Sequence, residues 1–242
     1  MNGTVEVVES VPDALARVVA GSLHAATTAG FSLFLSGGST AEACYRRLVA
    51  LSAPGLGGTT PVDWTAVDVY LGDERCVPPD HADSNHRMIA EVLLGPVGPV
   101  RSDHPMYRSG APEAAAAAYQ RLIDPLGAFD LIHLGMGPDG HCASLFPGSV
   151  ALEVDDPGVL VMANRDPSAN NAHDRITLTL PAIARARLVV FTVSGASKRS
   201  AFGRIVAGED LPAARATADR VLWLVDPAAL GDTPLPVQGP GG

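Results

Sequence analysis

A chain of 242 residues that is 47% apolar and 18% charged excludes disorder and fibrous repeats, and its length suits one domain or two small ones. Cys44, Cys76 and Cys142 stand far apart with no CxxC or HxxxH pair, which excludes a disulfide framework and a structural zinc site. The net charge of −9 excludes nucleic acid and an anionic membrane as partners, since each needs a basic face.

The opening MNGTVEVVESVPD carries Glu where a secretory signal carries Lys or Arg, and no apolar run nears the ~18 residues of a membrane span. The chain is expected in the cytoplasm, a reducing compartment. Ser10 is a candidate cap for a helix over 12–28. A strand over 31–35 leads into a helix over 41–51 that follows Ser39 and Thr40, and 53–61 reads as a Gly/Pro loop. A strand over 67–71 precedes the charged 72–75, then a helix over 84–94 capped by Asp83 and an Ala-rich one over 112–123. Strands over 130–134, 159–163, 175–178, 188–193 and 221–225 follow, with a short turn at 181–185 and a helix over 197–207 among them. This alternation predicts an α/β fold, a doubly wound, mainly parallel sheet with helices on both faces. Residues 1–230 form a single domain in this reading, and 231–242 a mobile tail without periodicity.

Ligands of such sheets gather beyond the carboxyl ends of the strands, so the residues just past each strand matter most. After the first come Ser36, Gly37, Gly38, Ser39 and Thr40: two glycines for a tight turn, then hydroxyls and free N–H groups at a helix start. That is an anion site or an ordinary capped turn. It is no nucleotide P-loop, because no Lys stands in GxxxxGK[ST]. Gly72, Asp73, Glu74 and Arg75 are either a solvated charge run or a carboxylate and guanidinium poised at a strand end. His81 and His86 fit no common metal-ligand spacing.

The segment from Gly135 to Pro147, GMGPDGHCASLFP, contains a literal GxGxxG with Asp155 about twenty residues on. Pro138 and Pro147 leave room for only about two helical turns, so the dinucleotide reading fails. Asp139 and His141 are better clues: an imidazole suits general base work near neutral pH, and a nearby carboxylate can orient it. His133 reads as packed core and His24 as helix surface. All but one of the 17 basic residues are arginine, the exception being Lys198. Lys198 and Arg175 are ordinary surface cations or, with Ser39 and Thr40, a phosphate cradle in an acidic protein.

The ordered set LSGGST, GDERCVP…DSN, FDLIHLGMGPDGHCASLFPG, RITLTL and SGASK resembles the 6-phosphogluconolactonase family, a relative of the glucosamine-6-phosphate deaminases, from about Ser10 to Ala228. The resemblance implies a doubly wound fold and hydrolysis of the lactone of 6-phosphogluconate in the oxidative pentose phosphate pathway. It implies no metal and no organic cofactor. His141 matches the family's catalytic histidine, and Ser39, Thr40, Arg75, Arg175 and Lys198 match substrate contacts. Similar deaminases carry a Glu five residues past the motif His, where this chain has Phe146; Asp73, which matches their base, becomes a positioning carboxylate. Many lactonases have a Lys-Pro stretch before RITLT, whereas this chain has Ser168, Ala169, Asn170 and Asn171.

The expected mechanism docks a phosphate on Ser39, Thr40, Lys198 and Arg175, with Gly37 and Gly38 shaping the turn. His141, oriented by Asp139, activates a water, and Arg75 and backbone N–H groups steady the oxyanion. A nucleophilic role for Ser144 or Cys142 is the minor alternative. The expected partner is a small phosphorylated sugar lactone, handled by a monomer or small homo-oligomer. A deaminase and a non-catalytic sugar-phosphate sensor are the competing functions.

Overall fold

The computed structural model describes residues 1–26, 30–52 and 62–235. The end of the helix expected to reach residue 28, the 53–61 loop and residues 236–242 of the tail lie outside these. Ten strands are formed among the described residues: β1 (Thr4–Val7), β2 (Phe31–Leu35), β3 (Val67–Leu71), β4 (Asp73–Arg75), β5 (Ser102–Asp103), β6 (Phe129–Gly135), β7 (Val161–Asn164), β8 (Arg175–Leu178), β9 (Ala186–Val193) and β10 (Arg220–Val225). Seven pair in parallel in the order β1-β10-β9-β6-β2-β3-β5. The strands β2 and β3 read FSLFL and VDVYL, apolar but for Ser32 and Asp68, and every residue of both is buried, as strands covered on both faces require.

The helices follow their local chemistry. Val11–Ala25 starts where the Ser10 side chain accepts the Asp13 N–H, with Pro12 in its first turn, and packs against Ser39–Ser52. The expected helix over 84–94 is broken: an α-helical stretch at Asn85–Ile89 passes into a π turn at Ala90–Leu94. Its cap is Ser84, not Asp83, because it is the Ser84 oxygen that accepts the Arg87 N–H at 3.1 Å. Pro112–Ile123 lies on β7 and β8.

Two features went beyond the expected plan. The short strands β1 and β5 close the two edges of the main sheet, paired on one side only. The charged segment after β3 is itself a strand: β4, β8 and β7 form a separate antiparallel sheet in which Asp73 faces Thr177, Glu74 faces Ile176 and Arg75 faces Arg175. Past the tail's start, Leu235 packs against the core. In the main sheet the chain builds outward from β2 through β3 to β5, then returns to the other side of β2 with β6. The order therefore reverses between β2 and β6, and a crevice opens beyond their carboxyl ends.

Candidate active site

The turn after β2 forms the floor of that crevice. Gly38, at φ +95°, caps the helix Ser39–Ser52 by offering its carbonyl to the Glu42 N–H at 2.9 Å. Ser39 and Thr40 are thus the first helical residues rather than its caps, and their N–H groups belong to the unsatisfied first turn. A β-carbon at Gly37 would overlap the Asn85 amide, so glycine is what allows that side chain to lie on the turn. Beneath it, the Ser36 N–H donates to Tyr45 Oη at 2.9 Å, and Tyr45 Oη stands 2.8 Å from His133 Nδ1 and 3.0 Å from the Ser36 carbonyl. His133 Nε2 lies 2.9 Å from Thr192 Oγ1. One assignment satisfies every partner: Tyr45 donates to Ser36, His133 donates from Nδ1, and the Thr192 hydroxyl donates to Nε2. Complete burial pushes the His133 pKa down to about 3, so this ring is neutral and structural.

The small sheet forms one wall. Asp73 is buried, its Oδ2 accepting the Ser144 hydroxyl at 2.6 Å while Asn85 Nδ2 donates to its carbonyl at 3.0 Å. Glu74, far from being solvated, is 1% exposed. Its Oε1 accepts the N–H groups of Arg75 at 2.7 Å and Asn85 at 2.8 Å, and its Oε2 accepts the His86 N–H at 2.8 Å and the Ser84 hydroxyl at 3.1 Å. Burial raises the Glu74 pKa, and the backbone N–H groups pull it back in part. Arg75 and Arg175 stand opposite each other across β4 and β8, and the buried Nε of each has no hydrogen-bond partner among the described residues. Arg175 is 6% exposed; burial lowers its pKa, with the charge of Asp73 the main opposing influence. Two guanidiniums side by side with orphaned donors are the chemistry of an anion site.

The opposite wall is the turn after β6. No helix forms in 136–149: Gly140 (φ +85°), Ala143 (φ +47°) and Gly148 (φ +73°) coil the backbone, which removes what remained of the dinucleotide pattern. His141 Nδ1 lies 2.6 Å from Asp139 Oδ1, whose oxygen also takes the His141 N–H at 3.2 Å. A β-carbon at Gly137 would overlap both the imidazole and the Asp139 carboxylate. The ring rests edge-on against Phe146, centroids 5.0 Å apart. Burial pushes the Asp139 carboxyl up, but the bonds and charge of His141 outweigh it and hold the pKa below the usual value. Lys198 ends the Ala196–Lys198 turn past β9; half-burial lowers its pKa, and Asp139 is the charge that opposes this.

These walls enclose a cavity of about 390 Å³. Gly37, Gly38, Ser39, Thr40, Asp73, Arg75, His141, Arg175 and Lys198 all line it, with Asp139 behind His141. Asn85, Asn171, Thr192, Ser194 and Ser197 line it too; in the sequence Asn171 stands out as an occupant of the altered stretch, whereas Asn85, Ser194 and Ser197 enter only within the DSN and SGASK motifs, with no role assigned. Asn171 is held there by Asp166, which accepts its N–H at 3.0 Å and its side-chain amide at 2.8 Å. The nucleophilic alternatives recede: Ser144 is buried with its hydroxyl hydrogen-bonded to the Asp73 carboxylate, and burial pushes the Cys142 thiol up to about 12. His81 and His86 do not pair; His86 Nε2 meets Asp103 at 2.8 Å, and His81 instead faces Asp83 and His173.

The chain matches the family described as glucosamine-6-phosphate isomerases/6-phosphogluconolactonase over residues 6–223. It is 39% identical over 213 residues to a 6-phosphogluconolactonase of Synechocystis, covering 82% of each chain. It is 36% identical over 240 residues to one of Mycobacterium tuberculosis, covering 91% of this chain and 93% of the relative. The crystal structure of 6-phosphogluconolactonase from Thermotoga maritima superimposes with a TM-score of 0.77 at 29% identity, over 92% of this chain and 98% of that one. A sheet whose order reverses beneath a cavity of this make-up, and likeness over nearly the whole length, lead to one conclusion: the chain belongs to the glucosamine-6-phosphate isomerase/6-phosphogluconolactonase family.

Proposed function

We propose that this chain, an enzyme of the 6-phosphogluconolactonase kind, hydrolyses 6-phosphogluconolactone by a water that His141 activates. The observation that carries the reading is His141 itself. Its Nδ1 is taken by Asp139 and its ring lines a cavity with cations on both walls, so Nε2 is the nitrogen left to meet a water. The phosphate rests on the N–H and hydroxyl groups of Ser39 and Thr40, with Lys198 and Arg175 closing on it. The lactone carbonyl then lies towards His141.

Nε2 takes a proton from the water as its oxygen bonds to the carbonyl carbon. Arg75 and backbone N–H groups of the glycine turns hold the oxyanion. Collapse breaks the bond from that carbon to the ring oxygen, which takes the proton back from the imidazolium. Asp139 fixes the ring and steadies its charged form. The route draws on side chains, backbone and water alone. A lactone is already an activated ester, so general base catalysis of about 10²–10⁴-fold with positioning is sufficient.

Phe146 argues against the deaminase alternative. It packs on the imidazole at the position where that branch's proton relay needs a carboxylate. The test is acid release from freshly prepared lactone beside ammonia release from glucosamine-6-phosphate. Rapid acid release without ammonia is the expected result. Ammonia release would make the chain a deaminase, and binding of 6-phosphogluconate without either reaction would make it a sensor.

A further inference from the structure

Three side chains outside the cavity converge at its rim from two different segments. His81 and Asp83 belong to the turn after β4, and His173 lies near the end of the loop between β7 and β8. His173 Nε2 lies 2.9 Å from Asp83 Oδ2, and His81 Nδ1 lies 3.8 Å from the same oxygen. One ligand atom from each falls within 4.8 Å of the others. The two imidazoles meet at 77° with centroids 5.5 Å apart. His173 holds this place from a left-handed backbone conformation, φ +69°, which is uncommon outside glycine but which histidine adopts more readily than most residues.

Two imidazole nitrogens and one carboxylate oxygen around a point are the donor set of a borderline first-row cation. Calcium and magnesium want shells of oxygen, whereas zinc, cobalt and nickel accept imidazole readily. Donors bound to one such ion at about 2.0–2.2 Å stand roughly 3–3.5 Å apart. The separations here are close enough that side-chain rotation closes the shell. His81 Nδ1 now accepts the Asp83 N–H at 3.0 Å, and on this exposed turn water can replace that bond.

We propose that His81, Asp83 and His173 bind a single divalent transition-metal cation, Zn²⁺ being the best matched, with solvent completing its shell. The ion would tie two rim segments together. Arg75 Nη1 donates to the Asp83 carbonyl at 2.5 Å, and the loop that holds His173 carries Asn171 into the cavity. The site is thus coupled to the placing of substrate-facing groups without entering the chemistry, and it stands whether or not the lactonase mechanism is right.

The test uses tag-free chain stripped with a chelator. Zn²⁺ is titrated by calorimetry, and Co²⁺ by its visible absorption, which reports the donor set. The expected result is one equivalent bound, with affinity about tenfold or more weaker in His173→Ala and in His81→Ala, since even the groups that support ligands carry about that much. Zn²⁺ should also raise the melting temperature of the intact chain and leave both variants unmoved, while their metal-free melting temperatures verify folding. No binding by the intact chain would overturn the proposal. So would binding that survives both substitutions, or that is lost only in His141→Ala or His86→Ala. Lactone turnover by the stripped chain is a separate readout: its absence would sink the mechanism and leave the cation site standing.

Discussion

His141, the proposed general base, is held by what is missing beside it. Gly137 has no β-carbon, and the imidazole and the Asp139 carboxylate occupy the room this leaves. Gly137→Ala therefore moves the reacting nitrogen without deleting it. A displacement near 1 Å costs about 10²-fold in turnover. The variant should lose about that much kcat while KM stays within a few-fold, because the phosphate contacts are untouched. His141→Ala should lose about 10²–10⁴-fold in kcat with similarly small change in KM, and Lys198→Ala should do the reverse, raising KM most. Steady-state kinetics on the three variants separates the roles. Near-normal kcat in His141→Ala would remove the base assignment, and a kcat loss at constant KM in Lys198→Ala would remove the phosphate role.

At the scale of elements, the small sheet makes the site, and its first strand was hidden. β2, β3 and β8 are legible to the residue because, Ser32, Asp68 and Arg175 apart, apolar and β-branched residues make them up. β4 reads Asp-Glu-Arg, a sequence that looks solvated until its partners in β8, at Ser144 and in the segment 84–86 are known. The glycine turns were legible because a strand end announces them. The roles of Asn85 and Ser144 were not, since each depends on contact with Asp73 that only the folded topology creates. Glu74 shows what binds the strand in place. Both of its oxygens accept a backbone N–H, so Glu74→Gln must turn its own NH₂ towards one buried donor whichever way the amide flips. One unsatisfied buried N–H costs about 1–3 kcal/mol. Chemical denaturation should show a loss of that size, and equal stability would mean that water reaches the carboxylate in the native state.

For the whole molecule, the point where the strand order reverses is also where a titratable histidine is completely buried. His133 sits on β6 between Tyr45 and Thr192, under the turn proposed to take the phosphate. Its pKa near 3 in the fold contrasts with about 6.5 in an unfolded chain. Between those values the unfolded chain binds a proton that the native ring refuses, so stability is full above pH 6.5 and falls as pH drops through the window. The slope is at most about 1.4 kcal/mol per pH unit from this one group. His104, also lowered by burial, adds in the same direction. Asp139, whose pKa the His141 contact depresses, loses its contribution only at lower pH, and Glu74, whose pKa burial raises, acts against the histidines above the ordinary carboxylate range; both are common to the intact chain and His133→Gln, so the difference between their slopes isolates the ring of His133. His133→Gln can still bridge two hydroxyls but has no proton to gain. Its unfolding free energy should be lower than that of the intact chain at pH 7, yet vary distinctly less with pH across that window. Equal slopes for the two proteins would show that the ring titrates in the native state, and the neutral support beneath the Ser36 turn would then have to be sought elsewhere.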